Sequence, residues 1–81
     1  MTTVDDRFDD PVRFVEQLWD LIQLNRVTQK ALAREAGMDR SRVNKYLRLR
    51  RRPGLESMLR LDAAFTRIIY RRSQRRRRPK P

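Results

Sequence analysis

An all-α fold of four or five helices is predicted by three features of this 81-residue chain. Apolar residues recur at the helical period from Val12 to Ile22 and again from Met58 to Ile68. The breaks between periodic segments fall on Gly37 and on Pro53-Gly54, the residues that most readily end helices. Capping residues, Asp10, Thr28 and Asp39, stand just ahead of three of the segments. At this length the chain supports one small domain.

Residues 1–9 form an acidic N-terminal arm, and residues 10–72 the folded domain. The first helix begins at Asp10-Pro11, a capping acid followed by proline at the first helical position. Its apolar stripe is Val12, Phe14, Val15, Leu18, Trp19, Leu21 and Ile22, and it ends near Asn25. Thr28 caps a second helix, Gln29 to about Glu35, with Leu32, Ala33 and Ala36 inward. Gly37 follows, where a helix commonly closes in the left-handed conformation. Asp39 caps a third helix that buries Val43, Tyr46 and Leu47. Ser41, Asn44, Lys45 and Arg48 lie on its opposite face, flanked by Arg40 and Arg42. From Leu55 to about Arg72 there is no glycine or proline, which predicts a long fourth helix or two helices bent near Thr66. Residues 73–81, "SQRRRRPKP", read as a disordered basic tail.

The composition narrows the function. There is no cysteine and no histidine, so disulfides, zinc fingers and histidine acid–base chemistry are excluded. No phosphate-binding loop, metal set or activated serine is present, so no enzyme and no cofactor are expected. No apolar run reaches membrane-spanning length and the N-terminus is not a signal peptide, which predicts a cytoplasmic protein. Residues 1–25 carry six acids and two bases, whereas residues 26–81 carry four acids and nineteen bases. Charge concentrated in this way points to a polyanionic partner. A membrane surface is disfavoured, because the cations do not follow one face of an apolar helix.

Residues 29–48 resemble the helix-turn-helix of the Cro and phage-repressor family, often called XRE. Gln29 opens the first helix of the motif, and Ala33 is the small residue at the helix crossing. Gly37 makes the turn, Met38 plugs the space beneath it, and Val43 and Tyr46 anchor the second helix. "VTQKALA" upstream and "RRRPGLESMLRLDAAF" downstream agree as well, so the resemblance covers about residues 11–66. It implies a compact lambda-repressor-like domain. Two positions depart from the pattern. Ile22 and Leu47 stand where many members bury an arginine–glutamate pair, an exchange that suggests the two sites still touch. Leu49 stands where a glycine often ends the recognition helix, so that helix is expected to run longer or its loop to differ.

The resemblance implies recognition of double-stranded DNA, with the helix from Arg40 in the major groove. Carried onto this sequence, base contacts fall to Arg40, Ser41 and Lys45, with Asn44 beside them. Arginine pairs with guanine and asparagine with adenine, so a guanine-containing site is expected. Gln29 matches the family's phosphate clamp, and Arg42, Arg48, Arg50, Arg51 and Arg52 would add backbone contacts. Met58, Leu61, Phe65, Ile68 and Ile69 suggest a dimer surface, with Phe65, Ile68 and Ile69 at the interface of a homodimer on a palindromic operator. The same residues could instead close the core of a monomer. Trp19 and Tyr46 lie on apolar stripes and read as core, not as stacking platforms.

The expected role is a small Cro-like phage or bacterial repressor without a small-molecule effector. Two other roles fit the sequence: an antitoxin-like partner protein with autoregulatory DNA binding, and a non-specific architectural nucleic-acid-binding protein driven by the arginine-rich tail. That tail could enter a minor groove, raise non-specific affinity or bind RNA.

Overall fold

The computed structural model describes residues 6–77, which form five helical segments and no strand. They are α1 (Asp6–Asp9), α2 (Pro11–Leu24), α3 (Gln29–Ala36), α4 (Arg40–Leu47) and α5 (Leu55–Arg77). The predicted arm begins and the predicted tail ends outside the described residues.

Each start has a local cause. Asp10 accepts from the backbone N–H groups of Val12 and Arg13 at 3.1 and 3.2 Å, with Pro11 pre-set for the first turn of α2. Thr28 Oγ1 accepts from the Ala31 N–H at 3.0 Å and starts α3. Asp39 has capping backbone geometry, but its side chain makes no cap hydrogen bond, contrary to the expectation.

The helix ends share one device. After α2, α3 and α4 a residue turns left-handed, and the next N–H reaches back five residues. Val27 donates to Ile22 O at 2.8 Å, Met38 to Ala33 O at 2.9 Å, and Arg50 to Lys45 O at 2.9 Å. The left-handed residues are Arg26 (φ 54°), Gly37 (φ 69°) and Leu49 (φ 58°). Thus α4 does not run on for want of a glycine: Leu49 adopts the glycine conformation itself. Such a backbone costs an L-residue about 1–2 kcal/mol. Arg26 is exposed, so Arg26→Gly is expected to stabilise the fold by about 1 kcal/mol, read as a higher urea midpoint at unchanged slope. Leu49 lines a cleft with Val15, Trp19 and Leu47, bordered by Glu16 and Asp20, so Leu49→Gly should be close to neutral, strain relief offsetting lost contact. A gain from Leu49→Gly equal to that at Arg26 would refute the contribution of the cleft.

One core joins α2 to α5. Phe14, Val15, Leu18 and Ile22 from α2 meet Leu32, Ala33 and Ala36 from α3, and Val43, Tyr46 and Leu47 from α4. Met58, Leu61, Ala64 and Ile68 of α5 close it, and Pro53, just ahead of α5, is fully buried. Ile22 and Leu47 both belong to this cluster, as their joint loss of charge suggested.

Three expectations are corrected. Residues 6–9 are not an arm but a helical turn, held because the Phe8 ring packs 5.6 Å from that of Phe14. The fourth predicted helix has no bend near Thr66 and continues to Arg77, so residues 73–77 are helical, not disordered. Arg67 and Arg71 hold the Glu35 carboxylate at 2.8 Å each, and Arg72 donates to the carbonyls of Asn25 and Arg26 at the end of α2. These contacts tie the second half of α5 to the domain, and the hydrogen bonds from Arg67 and Arg71 hold the Glu35 carboxyl below its ordinary pKa. Finally, Ile68 is buried and closes the core, while Phe65 and Ile69 are partly buried against it. The exposed apolar residues of α5 lie on the other side: Leu55, Leu59 and Tyr70 are 57%, 47% and 64% exposed.

Candidate nucleic-acid interface

The start of α3 and the outward face of α4 enclose one open concavity. It is lined by Thr28, Gln29, Lys30, Arg40, Ser41, Asn44, Lys45, Arg48 and Arg50. Five of these are cations and none is an acid. The arrangement follows from helix geometry: Ser41, Asn44, Lys45 and Arg48 are spaced so that they share one face, while Val43, Tyr46 and Leu47 press the other into the core. Gly37 supplies the turn that sets α4 at an angle to α3. No neighbouring atom lies within 4 Å of a Cβ built on it, so its positive φ, and not lack of space, is what calls for glycine.

At the centre of the concavity the Asn44 amide donates to Gln29 Oε1 at 3.0 Å. The bond orients both side chains. Gln29 keeps its own amide hydrogens, and Asn44 keeps its carbonyl oxygen and one N–H. The first residues of α3, Gln29 and Lys30, line the same space, and the N-terminal end of a helix favours anions.

Arg40, Ser41, Asn44 and Lys45, the residues expected to contact bases, are therefore brought together in one place with Gln29, Arg48 and Arg50. Arg51 and Arg52 are exposed but do not line it. Thr28, read from the sequence only as a cap, and Lys30, not singled out, also line it; Lys30 could have been found as the cation next to the clamp residue.

Arg42 faces elsewhere. Its Nε donates to the Tyr46 hydroxyl at 2.9 Å and its Nη2 to Ser57 Oγ at 3.3 Å, and the guanidinium lies 5.7 Å from the centre of the Tyr46 ring. The Tyr46 and Ser57 hydroxyls are 3.2 Å apart. Burial alone would raise the Tyr46 phenol, but its hydrogen bonds with Ser57 and Arg42 and the nearby arginine charges outweigh it and hold its pKa below the ordinary value.

A family model described as helix-turn-helix matches residues 20–66, more than half of the chain. The chain belongs to the XRE-type helix-turn-helix family. It is a DNA-binding transcriptional regulator of that type, and the family is one of regulatory domains, not of enzymes. The match takes in both helices of the motif, the loop that follows and the first half of α5, and so spans the whole concavity. No curated protein and no solved structure matches this regulator. Among its described residues, no helix is long and apolar enough to cross a membrane.

Proposed function

We propose that this XRE-type regulator is a Cro-like repressor, phage or bacterial, that reads operator DNA in the major groove with α4. What carries the reading is the acid-free concavity with the tethered Asn44 at its centre. A B-form major groove about 12 Å wide accepts a helix of about 10–12 Å diameter. In such a complex Arg40, Ser41 and Lys45 face base edges. Asn44, with one N–H bound to Gln29, retains the N–H and carbonyl that pair with adenine N7 and N6. Gln29, Lys30, Arg48 and Arg50 hold phosphates on either side, with Arg51 and Arg52 contributing charge from the adjoining loop.

The repressor acts as a homodimer on a palindromic operator, with half-sites about one turn apart. Because Phe65, Ile68 and Ile69 serve the monomer core, the dimer would use the outward stripe of α5: Leu55, Leu59, Ala63 and Tyr70. These positions fall on one side of the helix, opposite the buried Leu61, Ala64 and Ile68. The protein would work in the cytoplasm by occupying promoter DNA, and the scheme invokes no cofactor and no small-molecule effector.

Selection of binding sites from random duplex DNA tests this, repeated at low and at physiological salt. A palindrome with guanine-containing half-sites, retained at the higher salt, is the expected result. Asn44→Ala should then relax preference at one position of each half-site, by about 1–3 kcal/mol. Flat enrichment at both salts would overturn the repressor reading.

A further inference from the structure

We propose that Arg42, Tyr46 and Ser57 form a positioning bracket that sets the roll of the reading helix, and that Arg42 is not a phosphate contact. The proposal rests on the reading of α4 as the base-contacting helix.

The apolar anchors of α4 leave its roll loosely specified. Eight residues make only about two turns. They are held by three inward side chains, Val43, Tyr46 and Leu47, and apolar contact is non-directional. A roll of about 20° moves a side-chain tip roughly 8 Å from the axis by about 3 Å, a whole hydrogen-bond length. Something directional is needed to hold Asn44 and Lys45 in register with base edges. The bond from Asn44 to Gln29 does this on the DNA side. The bracket does it from the other side.

Its geometry is closed. The three side chains contact one another at 2.9, 3.3 and 3.2 Å, so each hydroxyl and the guanidinium has two partners in the set. Tyr46 is 4% and Ser57 7% exposed, and Ser57 is the one buried polar residue among the described ones. A buried hydroxyl without partners is costly, which favours keeping the triangle intact. Ser57 sits in the first turn of α5, directly before the core residue Met58. The bracket therefore indexes the short α4 to the longest and most deeply anchored element, across the loop of residues 48–54. Arg42 lies on the flank of α4, on the same side as Tyr46, and is absent from the lining of the basic concavity. Its charge is held against a phenol and a serine, where Lys30, Arg48 and Arg50 point into open space.

The test uses the full chain with Arg42→Gln, Arg42→Lys, Tyr46→Phe and Ser57→Ala. Binding to the selected operator and to a random duplex of equal length is followed by fluorescence anisotropy over a range of salt, well below each variant's melting temperature. The bracket predicts that Arg42→Gln, Tyr46→Phe and Ser57→Ala each lower the operator-to-random ratio by about tenfold, the scale of one lost hydrogen bond. The salt slope stays at the wild-type value. Arg42→Lys keeps the charge but not the planar fork, so it should fail to restore the ratio. Combining Arg42→Gln with Tyr46→Phe should cost little more than either alone.

Three results would overturn it: a slope reduced by about 0.9 in Arg42→Gln, recovery in Arg42→Lys, or a wild-type ratio in Tyr46→Phe and Ser57→Ala. A wild-type protein without any operator preference would instead defeat the repressor reading. The two failures are thus read from different proteins in one experiment.

Discussion

Binding to duplex DNA is expected to weaken by about a thousandfold or more when salt is raised from about 50 to about 200 mM. The cause is counterion release. Each phosphate neutralised by a lysine or arginine frees condensed cations, and log affinity falls with log salt at roughly 0.9 per contact. Lys30, Arg48 and Arg50 line the concavity, and Arg51 and Arg52 stand exposed beside it. Two protomers with about three to five such contacts each reach the range in which this loss occurs. Substituting Lys30, Arg48 or Arg50 by Gln should each reduce the slope by about 0.9 per protomer, equally on operator and on random sequence. Asn44→Ala should leave the slope unchanged and alter only preference. A slope insensitive to all three cation substitutions would mean that phosphates lie elsewhere, and the concavity would lose its role.

This division of labour was partly legible in the sequence. Helical spacing placed Asn44 and Lys45 on one face of α4, and the family resemblance, not spacing, set Gln29 of α3 beside them. It also gave the turn, since Gly37 is the residue that adopts a positive φ without strain. Less was legible where two answers share one pattern. Arg42 reads from spacing as another exposed cation, and it is exposed; only the proximity of Ser57, fifteen residues on, shows that its guanidinium is engaged by the Tyr46 and Ser57 hydroxyls. Leu49 stands at a position where the family often has glycine, but a leucine there read as a longer helix or a different loop; the bond from the Arg50 N–H to Lys45 O accompanies the glycine conformation instead. The arginine-rich end of α5 was read as disordered from like-charge repulsion. The preceding turns of the helix are anchored by Arg67 and Arg71 on Glu35 and by Arg72 on the carbonyls after α2, partners distant in sequence, and residues 73–77 continue that anchored helix. The stripe Phe65, Ile68 and Ile69 looked equally suited to a dimer and to a core. Periodicity reports which side is apolar, not what covers it.

The core carries a prediction of its own, and it bears on function. Phe14→Ala is expected to cost about 3–5 kcal/mol, the transfer of the ring plus the cavity left behind. Phe14 is 1% exposed and its ring packs 5.6 Å from that of Phe8, which lies against the same core. A domain of this size has roughly 4–12 kcal/mol of total stability at about 0.05–0.15 per residue. The substitution should therefore lower the melting temperature by at least about 12 °C, and in a marginal background unfold the chain. Leu24, at 80% exposed, is the control: Leu24→Ala should change stability by no more than about 0.5 kcal/mol. Thermal melts followed by circular dichroism distinguish the two. A Phe14→Ala protein that melts within a few degrees of wild type would show that α2 is not the floor of the domain. The consequence for DNA binding is specific. Phe14 touches no part of the concavity, yet α4 rests through Val43 and Leu47 on the cluster that Phe14 completes. Below its own melting temperature the variant should keep the wild-type salt slope and operator preference; above it, both should disappear together with the helical signal. Loss of preference while the chain is still folded would instead mean that Phe14 helps to set the pose of α4.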